Sequence, residues 1–137
     1  MRYLGLDLGS RTLGIAISET GFIASNYKTI RHEEEYERLL DEVKKLVEEL
    51  KIDTVVLGFP KNMNNTIGPK GELSLDFKSK LEKIIEVPIV LQDERLSTKS
   101  ALDTLIQGNV SRKDRKKVVD SVAATIILHT YLDRRER

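Results

Sequence analysis

Hydrophobic and polar residues alternate along residues 3–18, which is the pattern of strands rather than helices. The alternation predicts two short strands joined by a tight turn at residues 9–12. One face of this hairpin carries only branched side chains, which are those of Leu4, Leu6, Leu8, Leu13, Ile15 and Ile17. The opposite face carries mostly small residues, together with the carboxylate of Asp7. The hairpin therefore predicts a packed face and a bare face that another element can approach closely.

The period of the pattern changes after a third predicted strand at residues 22–30. Apolar residues then recur at helical spacing and predict a helix from about Glu33 to Leu50, whose charges are expected to form a solvated face. The apolar residues 53–59 follow, and a strand-helix-strand crossover implies a parallel neighbour of the first strand. The remaining predicted elements are a polar loop at 61–71, a helix around 73–85, a strand at 87–92, a helix around 101–106 and a final helix over 118–131. This order predicts an α/β protein with an antiparallel start.

Length and composition narrow the class further. A chain of 137 residues is expected to form a single domain, residues 1–137, with a hydrophobic core large enough to be stable without disulfides or structural metal ions. The absence of cysteine excludes disulfides, a thiol nucleophile and a zinc-thiolate site. The beginning of the chain is predicted as a strand, not a signal peptide, and no stretch is apolar enough to span a membrane. Because the net charge is only +1, nucleic-acid binding would depend on local basic clusters.

Asp7 is the first candidate for chemistry. An ionised carboxylate inside an apolar strand is costly unless it is paired, protonated or bound to metal. We interpret it as a metal ligand or a phosphate-site residue, although a hydrogen-bonded turn cap is the alternative. Two kinds of motif fit an Asp-x-Gly hairpin, and the hairpin alone does not choose between them. They are the phosphate-binding hairpin of the actin, Hsp70 and sugar-kinase ATPases and the first carboxylate strand of ribonuclease-H-like nucleases.

Two further carboxylates complete the candidate site. Asp120 lies in the apolar part of the final helix, and two alanines on its face, Ala123 and Ala124, would let that helix approach the bare face of the hairpin. Glu94 follows the last predicted strand, on the side where α/β sheets place their ligands. Three clustered carboxylates without His or Cys favour Mg²⁺ or Mn²⁺, and such a site suits two-metal phosphodiester hydrolysis.

Four motifs, LGLDLGSRTLGIAIS, VVLGFPKNMNN, QDERLST and KKVVDSVAATIIL, resemble the YqgF family of Holliday-junction-resolvase-like nucleases. The resemblance covers nearly the whole chain in the expected order. It implies a ribonuclease-H-like fold, with a five-stranded mixed sheet of three antiparallel and then two parallel strands, flanked by helices. It also implies a cytoplasmic bacterial protein that processes the 5′ end of pre-16S ribosomal RNA or resolves Holliday junctions. By motif, the family's acidic triad falls on Asp7, Glu94 and Asp120.

One departure concerns the number of metal ligands. The related junction resolvases use four carboxylates, two of them in the last helix, whereas the apolar part of this last helix offers only Asp120. Asp93, a hydroxyl or water would then serve as the fourth ligand, and Asp93 is also the substitute if Glu94 faces away. Residues expected to hold backbone phosphates are Arg11, Lys61, Arg95, Lys99, Arg112, Lys113, Arg115, Lys116 and Lys117.

Several alternatives stay open from the sequence. The loop at 61–71 fits a phosphate contact and a plain connector about equally well. An ATPase or sugar-kinase half is the first functional alternative, but that fold needs two such domains and this chain has room for one. A non-catalytic nucleic-acid-binding protein with the same fold is the second. The substrate is either pre-rRNA or branched DNA, and the expected state is a monomer or a weak homodimer, because a junction resolvase needs two active sites.

Overall fold

The fold is described from a computed structural model for residues 1–9, 11–21, 23–59, 68–93 and 123–132. The strands are β1 (Tyr3–Leu8), β2 (Thr12–Ser18), β3 (Ser25–Arg31), β4 (Thr54–Phe59) and β5 (Ile89–Asp93). The helices with defined bounds are α1 (Tyr36–Glu49) and α2 (Pro69–Glu82). Residues 123–132 are also helical and are called the C-terminal helical segment below.

The five strands form one mixed sheet in the order β3-β2-β1-β4-β5. The pairs β1–β2 and β2–β3 are antiparallel, whereas β1–β4 and β4–β5 are parallel. This arrangement confirms the predicted mixed sheet of three antiparallel and then two parallel strands. β1 is the central strand, so its carboxyl end lies beside the carboxyl ends of β4 and β5.

The branched face of the sheet holds the larger hydrophobic core. The leucines of β1 that were predicted to share a face are 0–5% exposed there, and they pack with apolar residues of both helices. The helical contributions are Leu39, Leu40, Val43, Leu46 and Val47 from α1 and Phe77 and Leu81 from α2. Helical spacing of these residues explains why each helix presents one apolar stripe to the sheet.

The opposite face of the sheet is covered by the C-terminal helical segment. Its buried residues Ala124, Ile127 and Leu128 form a second cluster with Tyr3 and the neighbouring strands. The segment lies so close to β1 that a Cβ added at Gly5 would stand 2.8 Å from Leu128 Cβ and 3.1 Å from the carbonyl oxygen of Ala124. The C-terminal helical segment therefore packs on the bare face of the hairpin, as the small residues of that face predicted.

Among the element boundaries, the starts of three elements differ most from the sequence prediction. The first helix begins at Tyr36 instead of Glu33, because Glu34 has a φ of 63°, which an α-helix cannot include. The second helix begins at Pro69, inside the predicted loop, since proline at the first helical position lacks an N–H that would be unpaired there anyway. β3 begins at Ser25, later than predicted.

Within these ranges no helix is long and apolar enough to cross a lipid bilayer.

Candidate active site

Asp7 lies near the carboxyl end of β1 and is partly buried. Its partner on the antiparallel side is Gly14 of β2. On the parallel side Leu6 pairs with Leu57 of β4, so the residue that follows Leu57, Gly58, lies next to Asp7. Two glycines therefore flank Asp7 across the sheet, which leaves room above the neighbouring strands for a group that the carboxylate contacts.

The row of laterally neighbouring residues that contains Asp7 and Gly58 continues onto β5. Gly58 pairs with Gln92, a buried polar residue with 5% exposure. Adjacent strands are about 4.8 Å apart, so the end of β5 lies roughly 10 Å from β1 in this direction. β5 ends one residue later, at Asp93, which pairs with Phe59. Because Gly58 has no side chain, the space over β4 is open to side chains from the neighbouring strands β1 and β5.

The C-terminal helical segment runs antiparallel to β1. Ala124 and Leu128 lie over Gly5, and further along the segment the ring of Tyr131 packs on Tyr3 with centroids 6.0 Å apart. The amino end of the segment consequently faces the end of β1 that carries Asp7. This orientation follows from the alternation of β1, since Tyr3, Gly5 and Asp7 share the face on which the segment lies.

A cleft of about 800 Å³ opens beside Asp7 on the side of β2 and β3. Its charged lining consists of the cations Arg11, Arg31, Arg38 and Lys70 and the carboxylates Asp7, Glu33 and Glu35. These side chains come from β1, the β1–β2 turn, the end of β3, the connection from β3 to α1, and the first turns of α1 and α2. The cleft therefore joins a central-strand carboxylate to a group of cations from several parts of the chain.

His32 is a buried residue that ties the β1–β2 turn to the start of α1. Its Nε2 lies 3.0 Å from the carbonyl oxygen of Gly9, and the backbone N–H of Glu34 donates to Nδ1 at 3.0 Å. These partners assign the proton of a neutral ring to Nε2, which donates to Gly9. The backbone N–H of His32 also donates to the carbonyl oxygen of Arg11 at 2.9 Å. His32 thus fixes the turn that follows Asp7.

Tyr36 supports His32 from the first turn of α1. The two rings meet edge to face, with centroids 5.4 Å apart and an interplanar angle of 61°. Burial, and to a smaller extent the nearby charge of Glu34, raises the pKa of the Tyr36 hydroxyl above its usual value. The phenol therefore stays neutral near pH 7.

Of the predicted site residues, Asp7 and Arg11 lie in the described part of the chain, and both line the cleft. The others are outside the described residues: Glu94, Asp120, Lys61, Arg95, Lys99, Arg112, Lys113, Arg115, Lys116 and Lys117. Within the described ranges no three His, Cys, Asp or Glu residues gather into a metal-binding group. Two members of the predicted carboxylate cluster are outside those ranges, so the predicted cluster stays a prediction.

Sequence reasoning missed Arg31, His32 and Arg38 of the cleft, whereas Lys70 lies in the predicted loop at 61–71, for which a phosphate contact was one of the two open interpretations. Arg38 belongs to the helix whose charges were expected to form a solvated face, and Lys70 was counted as part of a loop. No motif identifies them, because they come together only when α1 and α2 pack on the same face of the sheet. The one signal in the sequence was the polar run at residues 31–35, directly between a strand and a helix.

Comparisons with solved structures define the class of fold. Over 99% of this chain and 96% of the other, Thermus thermophilus RuvC in complex with a Holliday junction substrate gives a TM-score of 0.63 at 16% identity. Fowlpox virus resolvase, solved with Holliday junction DNA, gives a TM-score of 0.58 at 14% identity, with complete coverage of both chains. The protein has the ribonuclease-H-like fold of these resolvases.

Sequence comparisons define the family. The profile of the family described as "RuvX: Holliday junction resolvase" matches residues 1–134. A Geobacillus sp. (strain WCH70) protein, named "Putative pre-16S rRNA nuclease", is 49% identical over 99% of this chain and 100% of its own length. A Bacillus subtilis (strain 168) protein of the same name is 51% identical over 97% of this chain and 98% of its own length. The chain belongs to the RuvX family, a family of nucleases that act on nucleic acid, which confirms the resemblance.

Proposed function

We propose that residues 1–137 form one ribonuclease-H-like domain that cleaves structured nucleic acid with Mg²⁺ or Mn²⁺, and that its substrate is the 5′ end of pre-16S rRNA. The observation that carries this proposal is the position of Asp7. It is a partly buried carboxylate at the carboxyl end of the central strand, flanked by glycines and open to an 800 Å³ cleft. The names of the two bacterial relatives support the choice of substrate. A cytoplasmic location follows from such a substrate.

The chain around Asp7 fits a hard divalent cation. The proposed ligands are the carboxylates of Asp7, Glu94 and Asp120, and carboxylate oxygens are what Mg²⁺ and Mn²⁺ prefer. Gly58 leaves space beside Asp7 because a side chain at that position would project over β4 on the same face. When bound, the ions lower the pKa of water and stabilise the charge of the leaving oxygen.

Connectivity supports the two ligands outside the described residues. Gln92 shares the row of Asp7 and Gly58, and Glu94 follows Gln92 by two residues in the sequence. The family motif favours Glu94 over Asp93 as the ligand. Asp120 precedes the C-terminal helical segment, whose amino end faces the Asp7 end of β1. Asp7 would hold its ligand position most rigidly, because β1 is paired on both sides.

Phosphate binding around this centre is assigned to the predicted basic residues. Arg11 lines the cleft beside Asp7, and it is exposed, so its guanidinium can reach a backbone phosphate. The predicted basic residues outside the described ranges, from Lys61 to Lys117, are proposed to hold phosphates on the other sides of the scissile bond. Asp7 itself repels a phosphodiester unless cations neutralise it, so the approach of the scissile phosphate to Asp7 depends on the divalent ion, whereas the basic residues can hold the rest of the strand without it.

Cleavage of a defined RNA tests this function. An in vitro transcript that spans the 5′ end of 16S rRNA and its leader is incubated with wild type and with Asp7→Asn, in Mg²⁺, in Mn²⁺ and in EDTA. We expect cleavage by wild type in either metal, none in EDTA, and a loss of at least about 100-fold in Asp7→Asn. Equal cleavage by both proteins would show that the activity is a contaminant. Binding without cleavage would favour the non-catalytic alternative.

Resolution of Holliday junctions is the second candidate. The description of the family and the fold shared with RuvC favour it. A resolvase cuts two strands symmetrically and so requires two copies of Asp7, one in each protomer of a homodimer. A four-way DNA junction tested beside the transcript, with the mass of the complex measured by light scattering, separates the two substrates. Paired nicks by a dimer would support the junction, and a monomer that cuts only RNA would support the transcript.

A further inference from the structure

We propose that the cleft beside Asp7 is a second phosphate-binding subsite, formed by Arg31, Arg38 and Lys70 together with Arg11. It would hold the substrate strand on the β2–β3 side of the scissile bond. This inference rests on the proposed function, because it assumes that the reacting phosphodiester lies at Asp7. It also specifies the path of the substrate strand, which would run from Asp7 toward the junction of β3, α1 and α2 and away from β4 and β5.

The chemistry of the cleft favours a polyanion. Three of its four cations are arginines, whose planar guanidinium groups bind phosphate through two parallel hydrogen bonds. The four cations come from the β1–β2 turn, β3, α1 and α2. Folding, and not a local run of charge, therefore brings them together in the cleft. Asp7 lies on the same cleft, which makes the cleft continuous with the proposed reaction centre. A strand that the cations hold would therefore run past the end of β1 that carries Asp7.

Arg38 is held in place before any ligand binds. Its Nη2 donates to the carbonyl oxygen of Arg31 at 2.8 Å, and the same nitrogen lies 3.7 Å from a carboxylate oxygen of Glu35. Both side chains of that ion pair are about half exposed, at 48% and 56%, so the attraction is weak. A guanidinium has five N–H donors, and these two contacts share one nitrogen. The other donors can bind phosphate at a reduced cost in side-chain entropy.

The carboxylates of the cleft limit where a strand can lie. Glu33 and Glu35 are exposed and belong to the connection that leads into α1. They repel phosphate, and Glu35 also competes with it for Arg38. Removing the charge of Glu35 should therefore strengthen binding, the opposite of removing a cation. The two directions of change distinguish a subsite from a general effect of mutation on the fold.

Salt-dependent binding in EDTA tests the subsite without cleavage. The probe is the fluorescein-labelled 16S leader transcript, and its Kd is measured by anisotropy from 50 to 300 mM KCl. For Arg31→Ala/Arg38→Ala we expect roughly tenfold weaker binding at 100 mM salt and a salt slope smaller by about 1.4, or roughly 0.7 for each lost single-strand contact. Glu35→Gln should bind a few times more tightly than wild type.

Lys44→Ala/Lys45→Ala is the matched control. It removes the same charge, two positive charges, from exposed positions of α1 that do not line the cleft. We expect its Kd and salt slope to stay within twofold and about 0.3 of the wild-type values. Equal effects of the two double variants would overturn the subsite, because the loss would then reflect net charge alone. This outcome is distinct from failure of the nuclease assignment, which is measured by cleavage with Asp7→Asn.

Discussion

The close approach of the C-terminal helical segment to β1 gives a quantitative prediction for Gly5→Ala. A Cβ at this position would stand 2.8 Å from Leu128 Cβ and 3.1 Å from the Ala124 carbonyl oxygen. Favourable carbon contacts begin at about 3.5 Å, so the segment has to move by roughly 0.7 Å or more. Neither atom belongs to the flexible end of a side chain, and the added methyl group cannot be accommodated by a rotamer change.

The net cost is a balance of two terms. Overpacking a well-packed core costs about 1–3 kcal/mol. Replacing glycine by alanine in a strand returns roughly 0.5–1 kcal/mol, because the unfolded chain loses conformational freedom. Because a contact of 2.8 Å lies well inside van der Waals distance, the upper part of the first range applies, about 2–3 kcal/mol, and we expect Gly5→Ala to lower the free energy of unfolding by about 1–2.5 kcal/mol. Gly5→Val should cost more, since its two extra carbons meet the same atoms.

Urea unfolding followed by circular dichroism measures this difference. Asn26→Ala is the control, because Asn26 pairs with Ala16, the partner of Gly5, but lies exposed on the edge strand β3. Its effect should stay within about 0.5 kcal/mol. If Gly5→Ala proved as stable as wild type, the close packing of residues 123–132 on β1 would be wrong. On the proposed role of Asp120, the shifted helix should also reduce cleavage by the folded variant, since about 1 Å of misplacement can cost 100-fold.

Two further predictions concern the turn beside Asp7 and the core. His32→Ala should lower the free energy of unfolding by about 1–3 kcal/mol, because the Gly9 carbonyl and the Glu34 N–H lose their partner. His32→Gln can restore one of these hydrogen bonds, so in a thermal melt it should destabilise the protein less. Leu39→Ala should cost about 2–5 kcal/mol because Leu39 is fully buried, whereas Ile23→Ala should cost under about 0.5 kcal/mol because Ile23 is 70% exposed. Equal urea midpoints for the last two variants would contradict the assignment of the core.

Alternation of side chains made most of the fold predictable. The period of two over residues 3–18 separated the leucine face of β1 from the face that carries Gly5 and Asp7, and both assignments are confirmed. The change to helical spacing after β3 located α1. The start of α1 was predicted wrongly because a run of glutamates suits the first turn of a helix. In the structure the backbone N–H of Glu34 donates a hydrogen bond to the His32 ring, and Glu34 adopts a left-handed conformation.

The candidate site was predictable only in part. A carboxylate in an apolar strand is unusual in any sequence, so Asp7 stood out without a structure. Of the cations of the cleft, Arg11 was predicted as a phosphate-binding residue, but Arg31 and Arg38 were not, because such charges are ordinary at the ends of surface elements. Their convergence depends on how α1 and α2 pack against the sheet, which is a property of long-range contacts. The family resemblance named Glu94 and Asp120 as partners of Asp7, and this assignment stays a prediction.

Anomalous diffraction from a crystal soaked in Mn²⁺ tests the central claim most directly. The account predicts a manganese ion bound to a carboxylate oxygen of Asp7 and also to Glu94 or Asp120. The same soak of Asp7→Asn should show a weaker peak or none. Manganese peaks that all lie away from Asp7, or acidic side chains that point apart with no ion between them, would contradict the proposed catalytic centre.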